Sequence, residues 1–287
     1  MLKDYLFPTT VGETVDMLAK YNGAARIIAG GTDLSIDIKK MEPKPEYLID
    51  LRDVEELNVV EEDGDFIKIG CSVTFTDIVA NDLLSQHASA LVEGAAQVGA
   101  VQVRNMGTVG GNIVSAQPAA DAAVPLTALD AICVIVGKDG VREVPITEVY
   151  EGIGRSKIDS TKELLAFVKI PKKAAGSESA YCALDLRNAL ALPMICTAVK
   201  LSVKDGLVSD VRIVAAPLAP GPTRIVAAEE FLLGKPATDE NFTEAGTIAT
   251  DNVSFRSSLV RGSSEYRHEV LPILVRRALI TAQLAAQ

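Results

Sequence analysis

Apolar residues recur at helical spacing right behind the first polar turn of the chain. Val11, Val15, Leu18 and Ala19 follow Thr10-Val11-Gly12-Glu13, whose threonine and glutamate have capping-box spacing, and the pattern stops at Asn22-Gly23. This predicts a first helix. Arg26 to Ala29 then reads as a strand that exits into Gly30-Gly31, Asp33 to Lys40 as a short helix, and Tyr47 to Leu51, after Pro43 and Pro45, as another strand. Three Asp-Gly pairs, at 63–64, 139–140 and 205–206, sit between β-branched runs and predict hairpins, so the chain is rich in antiparallel strands. Thr76 to Asn81, Ser89 to Val98 and Asp121 to Leu129 read as helices, with Ala131 to Val136 and Leu164 to Ile170 as strands. Beyond the small polar stretch Lys172 to Ser177, the pattern gives strands at Tyr181–Leu186, Ile195–Val203 and Val208–Ala215. Helices follow at Ala227–Leu233, Asn241–Thr250 and Glu269–Ala286. Strands followed by helices predict a separate α+β domain.

Length and composition narrow this picture. At 287 residues the chain suits two or three domains of roughly 100–150 residues. Its 48% hydrophobic content supplies ample core, built on aliphatic side chains because Trp is absent. A net charge of −10 repels phosphodiester backbones and anionic lipid, which argues against nucleic-acid and membrane partners. Lys39, Lys40 and Lys44 come closest to a basic patch, but Asp37, Glu42 and Glu46 interleave with them. The N-terminal residues lack the apolar core of a signal peptide, and the expectation is a soluble, cytoplasmic protein.

Cys71, Cys133, Cys182 and Cys196 show no metal-binding spacing, so buried reduced thiols are expected and no metal site on this chain. His87 and His268 are the two imidazoles, and without a Gly-x-Ser-x-Gly elbow nothing supports a Ser–His hydrolase.

Two glycine stretches remain as candidate chemistry: Ile27-Ile28-Ala29-Gly30-Gly31-Thr32-Asp33-Leu34 and Val103-Arg104-Asn105-Met106-Gly107-Thr108-Val109-Gly110-Gly111-Asn112. Glycine lets a backbone approach a ligand closely, and both stretches read as anion cradles. Neither has the Lys-Ser/Thr pair of a P-loop or the Gly-x-Gly-x-x-Gly spacing of a Rossmann turn, so a structural turn competes with a ligand site for each. Gly152-Ile153-Gly154 reads as a turn.

These stretches, in this order and followed by Pro118 and Asp121, resemble the FAD-binding subunit of the molybdenum hydroxylases. That family includes xanthine, aldehyde and nicotinate dehydrogenases, aerobic carbon monoxide dehydrogenase and hydroxybenzoyl-CoA reductase. The resemblance continues through Glu163-Leu164-Leu165 to Ile170-Pro171 and ends in Arg261-Gly262-Ser263-Ser264-Glu265-Tyr266-Arg267. It implies an α+β chain: a two-subdomain FAD-binding fold of the vanillyl-alcohol-oxidase (PCMH) type at 1–56 and 57–175, then a smaller C-terminal α+β domain at 176–287.

The family also implies a site made by Arg26, Ile28, Ala29, Gly30, Gly31, Thr32, Asp33 and Leu34 on one side and Thr108, Gly110, Gly111 and Asn112 on the other. The glycines would offer backbone donors to the pyrophosphate, Thr32, Thr108 and Asn112 side-chain hydrogen bonds, and Arg26 a positive charge. Asp121 would reach the ribose or adenine end, against the competing role of a helix cap before Ala122; Asp33 has the same competing role. Leu165 would lie by the flavin or simply fill core.

One departure stands out. Members often carry a lysine just after the aromatic matching Tyr181, where this chain has Cys182-Ala183-Leu184-Asp185, leaving the nearby Arg187 as a substitute or as a surface charge. The resemblance implies FAD on this chain, molybdopterin and 2Fe-2S clusters on partner subunits, and an oxidoreductase complex with an iron–sulfur small subunit and a molybdopterin large subunit, arranged for instance as a dimer of heterotrimers. No catalytic side chain is expected, since the cofactor carries the redox chemistry. The charges of Arg261 to Arg267 serve either to dock a partner or to form internal salt bridges. A free-standing FAD-dependent reductase of the same fold and a flavin-free scaffold subunit are the competing readings. Replacing Gly110 or Gly111 by Val is expected to abolish FAD binding and leave a folded chain, measured by flavin content against circular dichroism.

Overall fold

The first sheet is small and parallel. β1 (Asp4–Leu6), β2 (Ala25–Ile28) and β3 (Tyr47–Asp50) lie in the order β1-β3-β2, with α1 (Val11–Tyr21) packed on them and α2 (Leu34–Asp37) after β2. The computed structural model describes residues 2–41, 44–255, 257–258 and 262–286. Thr10 caps α1 by accepting from the Glu13 N–H at 3.1 Å. The reciprocal half of the box moves one residue back, because the Glu13 carboxylate accepts from the Thr9 N–H at 2.7 Å. Asn22, at φ +41°, ends the helix in the left-handed conformation that asparagine tolerates. Leu18, Ala25 and Ile49 make this unit's small core.

A five-stranded antiparallel sheet follows. Its strands β4 (Val60–Asp63), β5 (Phe66–Gly70), β6 (Ile132–Gly137), β7 (Gly140–Pro145) and a later strand at Glu163–Pro171 are ordered β4, β5, Glu163–Pro171, β6, β7. The β5–β6 connection carries α3 (Phe75–Val79), α4 (Asp82–His87), α5 (Ser89–Gln97), α6 (Val101–Arg104), α7 (Val109–Val114) and α8 (Ala123–Ala128). A two-stranded ribbon, β8 (Tyr150–Gly152) with β9 (Arg155–Ser156), precedes the central strand Glu163–Pro171, here β10. Ile67, Ile69, Cys133, Ile135 and Val168 from the sheet meet Leu84, Leu91, Ile113 and Leu126 from the helices in one buried cluster. β10 carries a bulge at Ala166: Leu165 pairs with Ile135 and Phe167 with Val134, and Leu164, Leu165 and Ala166 are buried in succession.

The remaining strands, β11 (Ser177–Leu184), β12 (Ile195–Lys204), β13 (Leu207–Ala216) and β14 (Thr223–Arg224), form an antiparallel sheet in sequence order. The β12–β13 turn has Asp205 at φ +53° and Gly206 at +77°, the two positive values a primed hairpin turn needs. Packed on the sheet are α9 (Val226–Leu232), α10 (Asp239–Asp251) and α11 (Ser264–Ala285), around Val199, Ile213, Phe242, Leu271, Val275 and Leu279. A third cluster joins this unit to the rest: Ala90, Ala119, Val124 and Ala128 pack on Tyr181, Cys196, Ala198, Val214 and Ala216.

The predicted strands and hairpins all appear, with edges shifted by a few residues. Three differences matter. The second glycine stretch is not a loop throughout: from Val109 it is the helix α7, although glycine is a poor helix former. Tertiary bonds hold it there, from the Val109 N–H to the Val73 carbonyl at 3.1 Å and from the Gly110 N–H to the Cys71 carbonyl at 3.0 Å. The helix expected from Asp121 begins at Ala123, with Ala122 in the cap position. The last helix starts at Ser264, not Glu269, because Ser263 caps it by accepting from the Tyr266 N–H at 3.2 Å, and it runs through Pro272.

Phe242 is fully buried at the centre of the C-terminal core. Phe242→Ala is expected to lower the unfolding free energy by about 3–5 kcal/mol, read from a shift in the urea midpoint.

Candidate functional site

β2 and α7 converge on one cavity. At Gly30 an added Cβ would lie 1.6 Å from the Met106 carbonyl oxygen, so the backbones of the two glycine stretches touch. The space between them opens into a cavity of about 470 Å³, within the roughly 300–1,000 Å³ of small-molecule sites. Every residue expected at the site lines it: Arg26, Ile28 to Leu34, Thr108, Gly110, Gly111, Asn112, Asp121 and Leu165.

The two stretches differ in what they offer. Among the described residues, the N–H groups of Gly30, Gly31, Thr32, Asp33 and Leu34 have no protein acceptor, all five residues line the cavity, and the chain bends between them at Gly31, φ +69°. Successive unpaired N–H groups in such a bend form an anion-binding concavity. The opposite stretch has its donors occupied. The Gly110 N–H bonds Cys71, the Gly111 N–H bonds the Thr108 hydroxyl at 3.1 Å, and the Asn112 N–H bonds the Thr108 carbonyl at 3.0 Å. The expectation that Gly110 and Gly111 present backbone donors is therefore corrected: a tertiary bond to Cys71 uses the first and the Thr108 cap the second. What this side presents is side chains, above all Asn112, whose Oδ1 is buried without a hydrogen-bond partner. A buried orphan acceptor costs free energy unless a ligand completes it.

The structure also removes the capping alternatives. Asp121 makes no cap bond to α8; its Oδ1 accepts from the Tyr181 hydroxyl at 2.7 Å. Asp33 stands at the cap position of α2 without a side-chain cap bond. Leu165 is both cavity wall and core, brought there by the bulge in β10. Arg26 has no carboxylate or carbonyl partner among the described residues and lines the cavity as an unpaired cation.

Burial pushes the Asp121 carboxyl up to about 6, with Asp185 adding to the rise and the Tyr181 hydrogen bond opposing it. Arg187 is no substitute for the missing lysine, since its guanidinium bonds the carbonyls of Ala189 and Leu190 in its own loop.

Several wall residues carried no sequence signal. Leu190, Ala191 and Leu192 arrive from the loop after β11, held by the Leu190 N–H on the Gly99 carbonyl at 3.0 Å. Gln117 and Ser160 line the wall from connections. Of the final family-like segment, Arg261 lies outside the described residues, Ser263 caps α11 and Arg267 is buried.

Comparison with known proteins decides the family. Residues 2–173 match the FAD-binding domain in molybdopterin dehydrogenase, and residues 179–282 the carbon monoxide dehydrogenase flavoprotein C-terminal domain. The chain belongs to the FAD-binding subunits of the molybdenum hydroxylases. The nicotinate dehydrogenase FAD-subunit of Eubacterium barkeri is 32% identical over 93% of this chain and 92% of that protein. The carbon monoxide dehydrogenase medium chain of Hydrogenophaga pseudoflava is 29% identical over 97% and 96%. A solved carbon monoxide dehydrogenase from Hydrogenophaga pseudoflava, lacking the Mo-pyranopterin moiety of its molybdenum cofactor, superposes with a TM-score of 0.90 at 30% identity. It covers all of this chain and 98% of that one. Quinoline 2-oxidoreductase from Pseudomonas putida 86 gives 0.91 at 26% identity, covering 100% and 98%.

As a family member this chain is a flavoprotein subunit of a molybdenum-dependent oxidoreductase, and its α+β architecture is that of the FAD-binding domain followed by the family's C-terminal domain. No described helix is long and apolar enough to cross a membrane.

The glycine substitutions expected to act alike on FAD binding are not equivalent. A Cβ at Gly110 would meet Cys71 Cβ at 2.5 Å, so Gly110→Val damages the fold itself, whereas Gly111 faces only the Thr108 hydroxyl at 3.2 Å. The raised Asp121 carboxyl gives a pH prediction for the FAD-free chain. A folded-state value above the ordinary 3.8 stabilises below that value and is lost as pH rises through about 6. Thermal melts of wild type and Asp121→Asn are expected to show the wild type losing ground between those two pH values.

Proposed function

We propose that the cavity between the two glycine stretches holds one FAD, with the unpaired N–H groups of Gly30 to Leu34 around its pyrophosphate. This run of donors is the observation that carries the reading: five successive amides without acceptors fit two linked phosphates, and the unpaired Arg26 lies on the same wall. Asn112 and the Thr108 hydroxyl face them, Asp121 accepts from a hydroxyl or the adenine amino group at the ribose–adenine end of the cofactor, and Leu165 packs against its apolar part. When bound, FAD supplies the redox chemistry, taking electrons from iron–sulfur clusters on a partner and yielding them to an external acceptor. This chain supplies position and electrostatics and needs no catalytic acid or nucleophile of its own.

The same reading extends to the assembly. The chain docks with an iron–sulfur small subunit and a molybdopterin large subunit, as a dimer of heterotrimers, in the cytoplasm; the medium-chain names of its relatives support the first part. Its sheets divide as a first FAD-binding subdomain over 1–56, a second over 57–175 and a C-terminal domain over 176–287, a partition supported by the separate cores around Ile49, Ile135 and Phe242.

Purified protein is expected to carry one FAD per chain, released as FAD and not FMN on denaturation; a chain that stays colourless after incubation with FAD overturns the reading. Because Asn112 Oδ1 has no protein partner, Asn112→Ala is expected to weaken FAD about tenfold, the worth of one hydrogen bond, with an unchanged melting temperature of the FAD-free chain.

A further inference from the structure

Tyr181, on β11, lies 60 residues from Asp121, which sits in the turn before α8, yet its hydroxyl donates to Asp121 Oδ1 at 2.7 Å. The ring sits in an apolar cluster with Ala90, Val124, Ala198 and Val214, where phenylalanine would pack equally well. A buried hydroxyl in such surroundings is costly unless its bond matters. The residue is also held from behind, since its N–H donates to Glu93 Oε2 on α5 at 2.6 Å. Among the described residues no other side chain donates to the Asp121 carboxyl, which lines the cavity.

We infer that Tyr181 is a positioning residue for the FAD site: its hydroxyl, delivered by the C-terminal sheet, fixes the Asp121 carboxyl as a hydrogen-bond acceptor for FAD. The inference rests on the FAD reading above and deepens it, because the sheet outside the FAD-binding domain then completes the cofactor site. The physical logic is one of charge. A carboxyl buried among apolar groups drifts toward its neutral form, which offers a donor where the ribose hydroxyls and adenine amino group of FAD need an acceptor. A phenol hydrogen bond favours the charged form and fixes the rotamer, leaving the second oxygen for the ligand.

The titratable groups that face Asp121 are Tyr181 and Asp185 on or just after β11 and Cys196 on β12, with Glu93 one step away through the Tyr181 N–H. Asp185 and the apolar burial raise its proton affinity and Tyr181 lowers it, so FAD affinity should fall as pH drops through about 6.

The test uses the full chain stripped of flavin, titrated with FAD by fluorescence quenching from about pH 5 to about pH 8. Tyr181→Phe is expected to bind FAD about tenfold more weakly at neutral pH, with the midpoint of the pH dependence moved upward and the melting temperature of the FAD-free chain retained. Asp121→Asn is expected to lose the pH dependence, and adding Tyr181→Phe to it should weaken binding no further, as a coupled pair requires. A Tyr181→Phe protein with wild-type affinity and pH profile overturns the inference, as do independent, additive effects in the double variant. Should Tyr181→Phe fail to fold, Asp121→Asn decides: a wild-type pH profile in that variant overturns the inference. Wild-type protein that takes up no FAD overturns the cofactor reading itself, which separates the two failures.

Discussion

The contact of Gly30 with the Met106 carbonyl holds the site together, and it exists because neither partner brings a side chain between them. A methyl group at Gly30 would sit 1.6 Å from that oxygen, and one at Gly110 would sit 2.5 Å from Cys71 Cβ. Two backbones therefore close on each other and on β5, and the cavity is what the remaining curvature leaves. Hydrogen bonds from Val109 and Gly110 to Val73 and Cys71 pin the second stretch to the sheet, while the Cys71 N–H bonds the bulged Ala166 at 2.9 Å. The bulge in turn brings Leu165 to the cavity wall. Close backbone packing, more than side-chain chemistry, sets the shape of the cavity.

The two walls divide the work. One keeps its amides unpaired, which is affordable only at a surface open to water or a ligand. The other consumes its amides in tertiary bonds to Val73 and Cys71 and in the cap and first turn of a short helix, and contributes Asn112 and Thr108 instead. The loop after β11 adds a third wall through Leu190 to Leu192, and Tyr181 on that strand stands behind the cavity-lining Asp121. In the proposed arrangement an acidic chain would hold a doubly charged anion without a cluster of lysines, the positive potential coming from backbone dipoles and from Arg26, which has no ion-pair partner among the described residues.

Much of this was legible in the chain. The Asp-Gly hairpins declare themselves because positive φ values demand such residues, and the helix behind Thr10 because capping and apolar spacing agree. The glycine stretches were recognisable as a site through their order and resemblance, and they do meet across one cavity. Less legible was α7, since Gly110 and Gly111 argue locally against a helix and tertiary hydrogen bonds overrule them. Asp121 was ambiguous between cap and ligand for the same reason: its partner, Tyr181, lies far along the chain on β11. Leu190 to Leu192 left no trace, because an apolar loop residue has no local feature that tells which cavity it borders.

What the sequence determined by itself was therefore what short-range rules govern: the elements, their turns, the abundance of antiparallel strands, and the family that its motifs announce. What only the tertiary structure decided was which polar groups stay unpaired. The amides of Gly30 to Leu34 and those of Gly110 to Asn112 belong to stretches of similar composition. Only the folded chain shows that the first set has no acceptor among the described residues and the second already has one. Hydrogen bonding saturates each donor with whatever acceptor the fold brings near, and that depends on distances between residues far apart in sequence, which local composition does not encode.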